Sequence, residues 1–145
     1  MMNYQFTTQV AAADLTRITE QAYQHDGWTR QVYEQDLKQA TSRYLALRVN
    51  GEIIAFLGAS WVLDEFSVTN LAVLPVWQGH HLGETLLRET IQRLPQGTRL
   101  LLEVRPSNQK AVALYEKIGF QTYFMRPKYY HNPIEDAYLM DYTIK

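Results

Sequence analysis

"FSVTNLAVLPVWQGHHLGETLLRETIQRL", residues 66–94, changes its period partway along. "FSVTNLAV" is rich in β-formers and reads as a strand, turned in by the Asp64-Glu65 step before it. "LGETLLRETIQRL" places Leu82, Leu86, Leu87 and Ile91 at helical spacing up to Pro95. Between them lies "LPVWQGHH", where a strand ends and a helix begins. Backbone N–H groups at such a junction can turn inward on an anion, aided by the helix dipole. Two histidines, His80 and His81, stand where small residues would ease that approach. A solvated surface turn is the plainer reading of the same loop.

Working outward, "NYQFTTQ" is a short first strand and "AADLTRITEQAYQ" a helix. In that helix Leu15, Ile18 and Ala22 share a face, with Asp14 as N-cap. A second helix opens at Thr29 and ends before Ser42. "RYLALRV", Asn50-Gly51 and "EIIAFLGASWV" form the strongest local signal in the chain, because Asn-Gly supplies the positive φ angles of a type I′ hairpin. Beyond the central helix come strand "TRLLLEV" and a helix in "PSNQKAVALYEKIGF", capped by Ser107 or Asn108 and stopped by Gly119. "QTYFMR" and "DAYLMDYTI" are two last strands around a polar, proline-containing loop. The order predicts one α/β domain over residues 1–145, a mixed sheet with helices packed on it.

Composition excludes several function classes. The 145 residues carry a net charge of −1, which gives no support for a broad nucleic-acid-binding surface. With no cysteine there is neither a disulfide framework nor a cysteine nucleophile, so transfer through an enzyme thioester is out. Adjacent histidines rarely converge on one metal, and no metal site is expected from His80 and His81. The longest nearly apolar run, Ile53 to Leu63, is shorter than the roughly 18 residues of a spanning helix. "MMNYQFTTQV" lacks the pattern of a signal peptide, so a cytoplasmic protein is expected, with no membrane partner.

Certain side chains invite a chemical reading. Glu103 interrupts the leucines of "RLLLEV"; a carboxylate at a strand end is commonly just solvated or ion-paired. Tyr115 sits on a helix whose Ala111, Leu114 and Ile118 face the core, which makes packing an equal candidate. Asn108 has a capping explanation. Tyr129 and Tyr130, with Glu135 and Asp136 nearby, fit a surface loop of half-buried rings.

"LAVLPVWQGHHLGETLL" and "LEVRPSNQKAVALYEKIGF" resemble, in order and spacing, the GNAT acyl-CoA N-acetyltransferases. The likeness runs from about residue 3 to 142. With "DEFSVTNLAV", "KYY" and "EDAYLM", it extends to the branch that acetylates the amino-terminal alanine of a small-subunit ribosomal protein. The resemblance implies a GNAT fold, a central, mostly antiparallel mixed sheet flanked by helices, and acetyl-CoA as cofactor without a metal. It implies that the cofactor is held by the loop Gln78, Gly79, His80, His81, Leu82, Gly83 and Glu84, by Asn108, and by backbone groups of Leu71, Ala72 and Val73 on a strand splayed from its neighbour. His81 departs from the family pattern, which has glycine there; histidine tolerates left-handed backbone angles better than most residues. By the same likeness Glu103 is the general base and Tyr115 the general acid toward the coenzyme A thiolate, while Tyr129 and Tyr130 line the peptide groove; Glu65 is a further candidate for that groove or for steering an amine.

The implied acceptor is a protein α-amine, and the protein a monomer or weak homodimer. Freeing the lone pair at pH 7 costs roughly 1 kcal/mol for an α-amine and roughly 4.6 kcal/mol for a lysine, which favours the former. A lysine side chain, polyamine or other small amine is the alternative acceptor, and a non-catalytic acyl-CoA-binding module the alternative of another class.

Overall fold

The computed structural model describes residues 3–23 and 27–145. Gln24, the last residue of the predicted first helix, lies outside them, as do Met1 and Met2. The chain runs β1 (Gln5–Thr7), α1 (Ala12–Ala22), α2 (Arg30–Asp36), β2 (Ser42–Val49), β3 (Glu52–Val62), β4 (Glu65–Val73), α3 (Leu82–Arg93), β5 (Arg99–Val104), α4 (Gln109–Ile118), β6 (Gln121–His131) and β7 (Ile134–Thr143). This is the predicted order, with a short 3₁₀ turn, Pro75–Trp77, added before α3.

Seven strands make one sheet in the order β1-β2-β3-β4-β5-β7-β6. Among the described residues only β4 and β5 pair in parallel; every other pair is antiparallel. The β2–β3 hairpin turns on Asn50 (φ 51°) and Gly51 (φ 79°), as the sequence requires. In β3 every residue from Ile53 to Ala59 is buried, so both faces of the sheet are covered there. Phe56 sits at its centre, edge-on to Tyr33 of α2 at 6.0 Å and beside Tyr44 of β2 at 6.2 Å.

The helices are placed by their buried stripes: Leu15 and Ile18 on α1, Leu82, Leu86 and Leu87 on α3. Thr29 caps α2, its Oγ1 accepting from Val32 N–H at 3.3 Å. Asn108 caps α4, and Gly119 (φ 127°) ends it.

Four local expectations are corrected. Asp14 is not the N-cap of α1; it lies one turn in, and its carboxylate accepts from the N–H of Ala11, the true cap, at 3.3 Å. The β3–β4 turn is Leu63-Asp64 rather than Asp64-Glu65: Val62 pairs with Glu65, and Leu63 takes the left-handed angle (φ 55°) with its side chain 91% exposed. The second helix ends at Asp36, and its last residues before β2 form turns. Most of the loop expected around Pro127 and Pro133 is strand: β6 is the outer edge of the sheet, Pro127 falls in an irregularity between Arg126 and Tyr130 where the ladder with β7 is interrupted, and Pro133 sits in the β6–β7 turn.

Candidate active site

The parallel pair β4–β5 is short. Its register holds for Glu65, Phe66 and Ser67 against Arg99, Leu100 and Leu101, and then stops. Beyond that point β4 continues against β3 as far as Val73, and β5 continues against β7 as far as Val104. A β-bulge marks the parting: Ala59 pairs with Val68 and Gly58 with Asn70, leaving Thr69 unmatched. The two strands therefore splay, as the family resemblance implied.

A cleft of about 680 Å³ opens on one side of the splay, reaching Gln78, Gly83, Asn108 and Tyr115. A second of about 680 Å³ opens toward β6 and is walled by Tyr123, Tyr129 and Tyr130. Glu103 lines both, together with Trp28, Val68, Thr69, Leu102 and Tyr130. The carboxylate on β5 thus stands where two approaches meet.

The open edge of β4 is partly occupied. Leu74 N–H donates to Ile54 C=O at 3.0 Å, which sets the phase of the ladder. Ala72, two residues earlier and opposite Phe56, therefore turns its backbone groups to β3, while those of Leu71 and Val73 face the gap. Ala72 is to that extent a correction to the expected triplet. The Tyr23 hydroxyl donates to Leu71 C=O at 3.0 Å and accepts from Leu71 N–H at 3.3 Å. Gln78 Nε2 donates to Val73 C=O at 3.0 Å, tying the loop to the strand end.

That loop has the shape of an anion cradle. Gly79 (φ 87°) and His81 (φ 59°, ψ 29°) are both left-handed, and His81 is the N-cap of α3. His81 makes no side-chain cap, so the first-turn N–H groups of α3 receive no acceptor from it. Both imidazoles are exposed, while Leu82 is buried and anchors the helix start. A Cβ on Gly83 would meet Leu71 and Leu114 only at ordinary contact distance, so packing there is close without being exclusive. Glu84 turns away from the loop: its carboxylate holds Arg88 at 2.8 Å and Lys117 of α4 at 3.0 Å, and these partners lower its pKa. It links α3 to α4.

Tyr115 is buried, and burial pushes its phenol up to about 12. Asn108 lines the same cleft while its Oδ1 accepts from Ala111 N–H at 3.2 Å, so cap and cleft wall are one residue. Tyr129 is held against the Glu103 carboxylate, a contact that raises its pKa above the ordinary phenol value. The Arg105 guanidinium lies 4.3 Å from the Tyr130 ring centroid and 3.1 Å from Glu135. Glu135 also accepts from Ser107 N–H at 2.7 Å and Ser107 Oγ at 2.8 Å, which pins the β5–α4 loop to the β6–β7 hairpin. Glu65 lines neither cleft. It sits where β4 and β5 still pair, 3.3 Å from Arg99.

Sequence reading missed Tyr23, Trp28 and Arg105 as wall residues. Tyr23 follows a helical stripe and looks like its continuation; only Arg105, inside "LEVRPSN", lay within two residues of one singled out for chemistry, Glu103. Among the described residues no helix is long and apolar enough to cross a membrane.

A mixed sheet whose parallel pair splays beside a cradle at a helix N-terminus defines an acyltransferase scaffold. The pattern of the acetyltransferase (GNAT) family matches residues 10–120, and the chain belongs to that family. Within it the chain is 41% identical over 104 residues to the [ribosomal protein bS18]-alanine N-acetyltransferase of Escherichia coli K12, covering 68% of this chain and 70% of that one. It is 33% identical over 119 residues to the N-alpha-acetyltransferase RimI of Mycobacterium tuberculosis H37Rv, covering 79% and 75%. The crystal structure of the E. coli ribosomal-protein-S18-alanine N-acetyltransferase superposes with a TM-score of 0.89 at 30% identity, over 99% of this chain and 95% of that one. Arabidopsis thaliana NAA60, solved in complex with acetyl-CoA, shares the fold at a TM-score of 0.78 and 18% identity, over 98% and 99%.

Proposed function

We propose that this chain transfers an acetyl group from acetyl-CoA to the α-amine of a protein amino terminus, the alanine end of a small-subunit ribosomal protein being the acceptor. The observation that carries the reading is the position of Glu103 at the junction of two clefts, one leading from the cradle and one from the tyrosine-lined side. Donor and acceptor can then meet without a covalent enzyme intermediate, which suits a chain with no cysteine. The similarity to relatives named for ribosomal-protein alanine acetylation supports the choice of acceptor.

In this reading the first-turn N–H groups of α3 and the left-handed Gly79 and His81 hold the pyrophosphate. Val73 and Leu71 offer backbone groups to the pantetheine arm. Acetyl-CoA supplies the acyl thioester. Glu103 takes the proton that the α-amine must lose, directly or through water. Tyr129 keeps that carboxylate in place, and Tyr130 lines the peptide path.

In this reading Tyr115 acts on the coenzyme A thiolate as it leaves; burial pushes its phenol up to about 12, so it meets the sulfur as a neutral donor. Its contribution is a hydrogen bond to sulfur as negative charge develops, with the phenol protonated throughout the neutral range.

The test follows thiol release with acetyl-CoA and three acceptors: an Ala-starting peptide, the same peptide with a blocked amino terminus, and free lysine or polyamine. Release with the first alone supports the reading. Release with the blocked peptide or the free amines at equal efficiency refutes the α-amine assignment.

A further inference from the structure

Tyr23 stands in for a missing strand. Past Ser67, β4 has no strand partner on its β5 side among the described residues, and Leu71 is left with an N–H and a C=O directed into the cleft. Half-buried backbone groups in that position take a partner from the protein, a ligand or water. One phenol supplies both, donating to the carbonyl at 3.0 Å and accepting from the N–H at 3.3 Å across 48 residues of sequence. The side chain reaches in from the C-terminal end of α1 and lines the same cleft as Gln78 and Tyr115.

Resting on the acetyl-CoA reading above, we propose that this contact is exchangeable: the Tyr23 hydroxyl fills the Leu71 backbone groups in the ligand-free protein and yields them to the acyl-pantetheine arm. An extended arm bearing amide and carbonyl groups adds to an open strand edge through main-chain hydrogen bonds. The Leu71 N–H cannot serve a phenol oxygen and a ligand carbonyl with good geometry at once. A ligand that must displace an internal partner binds more weakly by the cost of the displacement. Deleting the internal partner therefore tightens binding, and only for ligands that carry the arm.

Tyr23→Phe keeps the ring and removes only the hydroxyl. The full-length chain and this variant are titrated calorimetrically with acetyl-CoA and with adenosine 3′,5′-bisphosphate, which has the phosphates without the arm. The variant is expected to bind acetyl-CoA about three- to tenfold more tightly, the worth of a displaced hydrogen bond, and the bisphosphate equally. Acetyl-CoA binding that is equal or weaker in the variant, with bisphosphate binding unchanged, overturns the exchange. Should Tyr23→Phe fold poorly, the unmodified chain labelled with ¹³Cζ-tyrosine decides: the Tyr23 resonance moves with acetyl-CoA and stays with the bisphosphate, and a resonance unmoved at saturating acetyl-CoA overturns the proposal. An unmodified chain that does not bind acetyl-CoA at all refutes the cofactor reading itself, a result distinct from binding without exchange.

Discussion

Replacing His81 by glycine should raise stability relative to the same change at His80. His81 holds φ 59° and ψ 29°, whereas His80 is not among the positive-φ residues. A left-handed angle costs an L-residue about 1–2 kcal/mol, and histidine lies toward the tolerant end. Glycine is spared that cost but gives the unfolded chain more freedom, a loss of about 0.4–1 kcal/mol. His81→Gly alone is therefore expected to fall between neutral and about 1 kcal/mol more stable. The neighbouring His80→Gly incurs the entropy term without relief, and that term cancels between the variants. Their difference should be about 1–2 kcal/mol, or about 3–6 °C in Tm for a domain of this size. Scanning calorimetry on both, with urea unfolding as a second measure, reads this directly. Equal midpoints, or His81→Gly the less stable, would refute the strain argument. Titration of the same pair with acetyl-CoA should show tighter binding by His81→Gly, since glycine leaves no side chain beside the cradle.

Tyr115→Phe should lower turnover by roughly 10²-fold with little change in acetyl-CoA affinity, as expected for a donor acting on charge in the transition state; comparable losses in both would instead mark a packing residue. Gly58→Ala places a Cβ 2.7 Å from the Tyr44 ring, and that ring is fixed by its hydroxyl's 2.5 Å hydrogen bond to Asp36, so stability should drop by about 1–3 kcal/mol in denaturant titration. Glu84 has a lowered pKa through Arg88 and Lys117, so its contribution is present above the ordinary glutamate range and fades as pH falls through the depressed value. The stability gap between the unmodified chain and Glu84→Gln should accordingly close on acidification and shrink with salt; a gap that persists at low pH would assign Glu84 a packing role.

The sequence by itself determined the elements and their order. Asn50-Gly51, Thr29, Asn108 and Gly119 act within a few residues of themselves, through φ preferences and caps, so their effect can be read without knowing what else is near. The left-handed His81 is not of that class: an N-cap residue is ordinarily extended, and only the glycine of the family pattern hinted at the angle. Where local signals competed with position in the sheet, they misled. Prolines suggested a loop that the edge location of β6 lets run as strand, and Glu65 looked poised for a groove that opens farther along the strand.

What only the tertiary structure decided is the site's geometry. The parting of β4 from β5 depends on partners on both outer sides, which no single segment encodes. The Tyr23 hydroxyl on the Leu71 backbone, Glu84 bridging to Lys117, and Glu135 holding Ser107 join residues 48, 33 and 28 positions apart. Such contacts leave no periodicity, because they arise where separate elements happen to be packed together, and a side chain's chemistry there is set by neighbours the chain reaches only after folding.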